Sequence, residues 1–312
     1  MKTKIFDCSN SSYRPQHRDV SFGQKENDIM ALLKTHSALF DCEYVSDAFS
    51  ADTIITNDVF PPEVLSLGKH LVKRMDGIFW DARRDDNIPL NNAAVQADHV
   101  IFISEYSRRA YETLYGCKLK ETSVVLNEVC NSKFYINDGV GSKRFSWTAV
   151  ATNWRRKEKR FDDVVNFAEM IGTGGVVNLI GDCPFDVPDN VIRHGYCTEA
   201  FISNVLRSST AFLNLSYRDA APKVVCQAVS CGLPVLYADS GGTREVVFAG
   251  VPIKDRQDIS FEDNVPSLDE KEMEKSWHDF FWRILDISRH ARAYKSRFTA
   301  MLDGYFSVIK NK

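Results

Sequence analysis

SYRDAAPKVVCQAVSCGLPVLYADSGGTREVV, residues 216–247, decides how this chain is read. It follows an apolar run, AFLNL (211–215), with the length and content of a buried strand. Asp219 falls in the loop after that strand. Pro222 suits the first turn of a helix, where its missing amide hydrogen has no intrahelical partner to lose. The helix runs over about 223–230 and stops at Cys231-Gly232, because glycine accepts the left-handed backbone of a helix end. A further strand, PVLYA (234–238), leads to Ser240-Gly241-Gly242-Thr243, which opens another helix. Two helix N-termini are thereby expected on one crevice, and their unpaired amides and positive dipole ends suit a diphosphate. Gln227 lies about one turn into the first helix, within reach of a ribose hydroxyl.

Outward from this segment, short apolar runs alternate with amphipathic stretches, which predicts parallel α/β architecture. Candidate strands are 3–7, 52–56, 71–75, 99–103, 123–126, 147–151, 175–180, 191–194, 211–215 and 234–238. Helical patterns cover 24–36, 104–115, 161–171 and 198–207, and the aromatic and charged tail 271–312 reads as long helices. INDGVGSKRFS (136–146) is rich in glycine and charge and poor in apolar content, so it reads as a linker. The alternation restarts after it. Two domains are expected: 1–140, a shortened Rossmann-like acceptor-side unit, and 141–312, a nucleotide-binding Rossmann-like unit with C-terminal helices. Ligands of doubly wound sheets lie at the carboxyl ends of strands, so the site is expected in the cleft between the domains.

Composition narrows the class. The chain has 312 residues, 44% hydrophobic and 26% charged, as in globular proteins, and its net charge of -3 argues against a nucleic-acid partner. Eight cysteines are scattered without a Cys-x-x-Cys pair, which argues against structural zinc and disulfides and for a reducing, cytoplasmic setting. The N-terminus turns polar after seven residues, and no window holds the roughly 18–20 apolar residues of a membrane span. Any membrane contact is expected to be peripheral, at the inner face. Asp85-Asp86 is the one carboxylate pair that could mimic a metal-binding Asp-x-Asp, and it lacks the spacing; no metal is expected.

The segment 216–247 resembles the donor-binding signature of retaining GT-B glycosyltransferases, above all glycosyltransferase family 4 (glycosyl transferases group 1). That signature reads Glu, seven residues, Glu, then Ala-x-x-x-Gly-x-Pro-Val, Gly-Gly and Glu-Val-Val. Here its positions are Asp219, Gln227, Ala228, Gly232, Pro234, Val235, Gly241, Gly242 and Glu245. The resemblance implies a GT-B fold, two Rossmann-like doubly wound domains facing a cleft, and transfer of a sugar from a nucleoside diphosphate sugar to a hydroxyl acceptor with retention of configuration. By the same resemblance Asp219 touches the donor sugar, Gln227 the ribose, and the amides of Lys223, Val224 and Val225 the phosphates. Aspartate for the first glutamate keeps the charge and shortens the reach by one methylene. Glutamine for the second keeps an acceptor and loses the charge-assisted contact.

TAVATNWRRKEKRF (148–161) resembles the family's phosphate-binding loop, Arg-x-x-x-x-Lys-Gly, with Lys159 as the lysine and Arg155, or Arg156 in another registration, as the arginine. Two cations beside a leaving diphosphate would stabilise its developing charge; taken alone, without its place in the chain, the run reads as a solvated basic stretch. GVVNLIGDCPFDVPDNVIRHGY (175–196) resembles the family's next two strands, each ending in glycine, and by that resemblance the loop around Gly195 and Tyr196 would approach the nucleobase. In the first half, KRMDGIFWD (73–81), ADHVIFISEYSRRAY (97–111) and SVVLNEVCNSKF (123–134) match family segments loosely, and the Gly-rich loop common near the family's N-terminus has no counterpart in 8–24. Arg74 and Asp76 could line the acceptor side, or form an ordinary surface ion pair. Ser104-Glu105 reads equally as a helix start, with serine as cap. His99 reads as structural; His194 lies near the donor base or packs in the core.

The expected partners are therefore a nucleotide-sugar donor and a saccharide or lipid-linked acceptor, with no cofactor, in polysaccharide or glycolipid assembly. Other readings of the same fold are a nucleotide-sugar epimerase or phosphorylase, and a binding subunit that lost turnover with its two altered acidic positions.

Overall fold

The structure, a computed structural model, describes residues 2–9, 29–78, 85, 87–116, 118–129, 132–136, 145–261 and 264–311. The expectations for 10–28, for Asp86 and for most of the linker, 137–144, lie outside the described residues. In chain order the first half forms β1 (Thr3–Asp7), α1 (Ile29–His36), β2 (Cys42–Tyr44), β3 (Thr53–Thr56), α2 (Pro62–Leu65), β4 (His70–Met75), α3 (Asn87–Gln96), β5 (His99–Phe102), α4 (Glu105–Tyr115) and β6 (Glu121–Val124). The second half forms β7 (Ser146–Asn153), α5 (Phe161–Ile171), β8 (Val176–Asp182), β9 (Val191–Gly195), α6 (Glu199–Ser208), β10 (Ala211–Asn214), α7 (Lys223–Ser230), β11 (Val235–Ala238), α8 (Thr243–Val246), β12 (Gly250–Ile253), α9 (Glu270–Arg292) and α10 (Phe298–Lys310).

The strands make two six-stranded sheets, ordered β2-β1-β3-β4-β5-β6 and β12-β11-β10-β7-β8-β9. Every strand pairing is parallel. Parallel sheets are covered on both faces, so their strands read as continuous apolar runs. Accordingly β5, β10 and β11 are buried at every position. The two strands that the sequence pattern misses, β2 and β12, are edge strands. One is only Cys-Glu-Tyr; the other, Gly-Val-Pro-Ile, contains a proline, which an edge tolerates because one side of it makes no ladder.

Each sheet has a core on both faces. On the first, α1 and the C-terminal α10 pack Leu33, Met301, Leu302, Tyr305 and Phe306 against Ile5, Val72 and Ile101. The other face holds Val64, Ala93, Ala94 and Tyr111 against Ile54, Val100 and Phe102. On the second sheet, Trp147 meets Phe167 of α5 and Phe280 of α9 with ring centroids 4.9 Å apart in each case. Its opposite face, under α6, α7 and α8, also takes in Ile103, Val129 and Phe134 from the first half of the chain, so one core spans the seam between the sheets. The chain thus ends on the sheet where it began, as the long-helix reading of the tail allows, and the Thr53 hydroxyl donates to the Ile309 carbonyl at 2.8 Å.

Glu128, just past β6, is the polar knot of that seam. Its buried carboxylate accepts the amides of Val129 at 2.9 Å and Arg297 at 3.3 Å, and the hydroxyls of Ser230 and Tyr294. Burial, and then the carboxylate itself, push the Tyr294 phenol well above its usual range. Removing the carboxylate would leave several donors unpaired in a dry region, each costing on the order of 1–3 kcal/mol less whatever water recovers. Glu128→Ala is therefore expected to lower stability by about 2–4 kcal/mol. An unchanged urea midpoint would contradict this.

Candidate functional site

In a doubly wound sheet the strand order reverses at a switch point, where the carboxyl ends of two neighbouring strands open into a crevice. In the second sheet that point lies between β7 and β10, which pair directly although β8 and β9 intervene in sequence. Lys159 lies in a short 3-10 turn, Lys157–Lys159, beyond the end of β7. Asp219 lies in the loop beyond β10. Their side chains meet: Lys159 Nζ is 2.9 Å from Asp219 Oδ2 and donates to Ser216 Oγ at 3.4 Å. Lysine and aspartate side chains are 16% and 24% exposed, so the pair is partly withdrawn from water yet open to a ligand.

α7 starts beside this pair. It begins at Lys223, directly after Pro222 as its N-cap residue, with no side chain capping it. The first amides of a helix have no carbonyl four residues back to bond. Of the three expected phosphate-binding amides, that of Val225 already donates to the Pro222 carbonyl at 3.0 Å. One turn on, Gln227 is 8% exposed, and its Oε1 is buried without a hydrogen-bond partner among the described residues.

The glycines that open α8 serve close approach. Gly241 has φ +69, and a Cβ there would lie 2.4 Å from the Asp219 carbonyl oxygen. A Cβ on Gly242 would lie 1.9 Å from the Ala220 carbonyl oxygen and 2.9 Å from Ser104 Oγ. The Gly242 amide donates to the Asp219 carbonyl at 2.8 Å. The 240–243 turn is thereby clamped onto the Asp219 loop and onto the start of α4 in the first half of the chain.

The other expected residues are placed as follows. Arg155 is about half exposed and pairs with Asp182 at the end of β8 rather than with the Lys159–Asp219 pair; Arg156 pairs with Glu158. Gly195 ends β9 with φ +67, and Tyr196 is 57% exposed. His194 Nε2 is 2.9 Å from Asn178 Oδ1, and burial holds its imidazole below the usual value. Arg74 is buried: it donates to the Tyr305 hydroxyl at 2.7 Å and to Asn127 Oδ1 at 3.1 Å, and it pairs with Asp76. Asp76 itself is half exposed. Gly77 beside it approaches Ala220, a Cβ there lying 3.2 Å from the Ala220 Cβ. His99 bonds Ser123 and Glu121, the structural role read from sequence. Ser104 caps α4, accepting the Ser107 amide at 3.0 Å, with Glu105 in the first turn as read from sequence, and the Ser107 hydroxyl closes the capping box by accepting the Ser104 amide at 3.2 Å.

Glu245, Arg160, Tyr217 and Arg218 take roles that no spacing in the sequence assigned them, although Glu245 stands in the signature quoted above. Glu245 reaches across the seam, where its carboxylate accepts the first-turn amides of Glu105 at 2.7 Å and Tyr106 at 2.8 Å, satisfying donors at the positive end of α4. Arg160 and Arg218 both have φ 53, which costs a residue with a Cβ about 1–2 kcal/mol each. Both are 4% exposed, and both guanidinium carbons lie 4.7 Å from the centroid of the buried Tyr217 ring. One signal was available: Arg160 stands where the resembled loop has a glycine after its lysine.

The six described cysteines (Cys8, Cys42, Cys183, Cys197, Cys226 and Cys231) are free thiols. Among the described residues no helix is long and apolar enough to cross a membrane.

Residues 185–275 match the family described as Glycosyl transferases group 1, a span that covers β9 to the start of α9 and so includes Asp219, Gln227 and Glu245. No curated protein sequence matches the chain. Among solved structures it is similar to the sucrose-phosphate synthase (tll1590) of Thermosynechococcus elongatus, at 12% identity and TM-score 0.69, over 99% of this chain and 97% of that one. It is also similar to WaaG, a glycosyltransferase involved in lipopolysaccharide biosynthesis, at 12% identity and TM-score 0.68, over 99% and 100% of the two chains. A third is Anabaena Alr3699/HepE in complex with UDP and glucose, at 14% identity and TM-score 0.64, over 99% and 96%. Two parallel six-stranded sheets with flanking helices, alike in arrangement to these glycosyltransferases over nearly the whole chain, give this protein the GT-B fold, and its second half carries a glycosyl transferases group 1 match.

Proposed function

We propose that the chain is a glycosyltransferase that moves a sugar from a nucleoside diphosphate sugar to a hydroxyl. The observation that carries this reading is the pairing of Lys159 with Asp219 at the β7/β10 switch point, beside the uncapped start of α7. The family match over 185–275 and the UDP and UDP-glucose complexes of HepE support it. In the reaction the bond between the anomeric carbon and the diphosphate oxygen breaks and the acceptor oxygen bonds that carbon. The acceptor proton passes to an oxygen of the departing diphosphate, on which negative charge builds as its bond to the sugar breaks. Lys159 and the amides at the start of α7 are the groups proposed to meet that charge, with Arg155 at the rim. They supply what a divalent cation supplies in other enzymes. Asp219 is proposed to contact the donor sugar, Gln227 Oε1 to accept from a ribose hydroxyl, and the Gly195–Tyr196 loop to face the base. Arg74 acts through its buried network, and Asp76 faces the acceptor side. Retention of configuration and a role in polysaccharide or glycolipid assembly complete the proposal.

Calorimetry with UDP, GDP, ADP and UDP-glucose tests it. One nucleotide is expected to bind selectively and to raise the melting temperature by mass action. Turnover is expected to survive EDTA. Gln227→Glu is expected to strengthen binding about 3- to 10-fold, because a charged acceptor makes a stronger bond to a ribose hydroxyl. Failure of all four ligands to bind at millimolar concentration would sink the reading. Binding without hydrolysis or transfer to any acceptor would favour a binding subunit.

A further inference from the structure

The geometry points to Arg160, Tyr217 and Arg218 as positioning residues that hold Lys159 and Asp219 together as a pair. This inference rests on the proposed role of that pair, and its observations are separate from those behind that role. Lys159 immediately precedes one left-handed arginine, and Asp219 immediately follows the other. A left-handed non-glycine residue persists only where its surroundings over-determine it. Here they do so through one ring, because both guanidinium carbons lie 4.7 Å from the centroid of Tyr217. The two loops are also joined through the backbone, the Tyr217 amide donating to the Glu158 carbonyl at 2.8 Å.

Each arginine is anchored again, on its far side from the reacting pair in sequence, by the segment between β12 and α9. Arg160 makes two bonds to Asp255, at 2.7 and 3.2 Å, and one to the Pro266 carbonyl at 2.9 Å. Arg218 bonds Asp258 at 2.9 Å, together with the carbonyl and hydroxyl of Ser260. Its amide donates to Ser240 Oγ at 2.9 Å, in the turn that clamps the Asp219 loop. The planar guanidinium suits this double duty, since it stacks on an aromatic face while its edge bonds carboxylates. The arrangement therefore fixes two backbone directions from one buried point. One places Lys159 and the other Asp219, so that their side chains converge across the crevice instead of relaxing separately into solvent.

The test reads the lysine directly. Acetylation rates of individual lysines in the whole protein, followed by mass spectrometry, compare Lys159 with wholly buried Lys73 and with exposed Lys275. In the wild type Lys159 is expected to react at least about tenfold more slowly than Lys275, because its side chain is 16% exposed and held against Asp219 and Ser216 while that of Lys275 is 78% exposed. In Tyr217→Leu, and in Asp258→Asn should that variant fold better, Lys159 is expected to react about 5- to 10-fold faster than in the wild type while Lys73 stays protected. Tyr217→Phe, which keeps the ring, is expected to behave as wild type. With the nucleotide sugar that binds, Tyr217→Leu is expected to lower kcat about 10- to 100-fold and to leave KM within about threefold. Unchanged Lys159 reactivity in the folded variants, or Lys159 and Lys73 becoming reactive together, overturns the proposal. Because the labelling needs no nucleotide, it decides the positioning role even if the proposed transfer reaction fails.

Discussion

Lys159→Ala is expected to cut turnover of the donor sugar nucleotide by about 10²–10³-fold while leaving the fold intact, the scale seen when one donor to a developing negative charge is removed. In the proposed reaction Lys159 is the side chain whose charge grows more valuable as the diphosphate departs, so the loss should fall on kcat more than on KM. The stability cost should be small. The ion pair is partly exposed, Asp219 at 24%, so the carboxylate left behind can be hydrated, and such pairs contribute no more than about 1 kcal/mol. Steady-state kinetics and a melting curve on the same preparation separate the effects. Unchanged turnover would remove Lys159 from the chemistry.

Gly242→Ala should act the other way, on the fold first. The added methyl carbon would sit 1.9 Å from the Ala220 carbonyl oxygen and 2.9 Å from Ser104 Oγ, a backbone atom on one side and a buried helix cap on the other. Neither gives way as the end of a flexible side chain does. Relief requires the 240–243 turn to lift from the Asp219 loop, which breaks the Gly242–Asp219 backbone bond and loosens the neighbouring Glu245 contact to α4. A loss of about 3 kcal/mol or more is expected, at the upper end of overpacking effects, together with weakened nucleotide binding. Gly174→Ala is the control. Its Cβ would meet nothing within 4 Å, so its denaturation midpoint should barely move. Equal midpoints for the two variants would contradict the close approach.

Much of the fold was legible because parallel strands buried on both faces announce themselves as apolar runs. AFLNL and PVLYA are examples, and both became central strands with every residue buried. The edge strands β2 and β12 were not legible, because three residues or a proline carry no such pattern, whereas the other two edges, β6 and β9, were. Ser104 could be recognised as a cap because capping is local, involving a residue and the amide three positions on. Glu245 could not. It caps a helix that begins 140 residues earlier, and nothing near Glu245 in sequence marks that partner.

By itself the sequence determined the two-sheet architecture and placed Asp219 and Lys159 on loops or turns and Gln227 one turn into α7, all in the half of the chain that forms the second sheet, because strand, helix and turn chemistry act over a few residues. The 216–247 segment could therefore be read without coordinates. Only the tertiary structure decided which cations meet which anions. Within the basic run at 155–160, spacing could not separate Arg155, which pairs with Asp182 at the rim, from Lys159, which pairs with Asp219, or from Arg160, which is buried against Tyr217. The run ends in a left-handed backbone at Arg160, and that residue is held by Tyr217, Asp255 and Pro266, all more than fifty positions away.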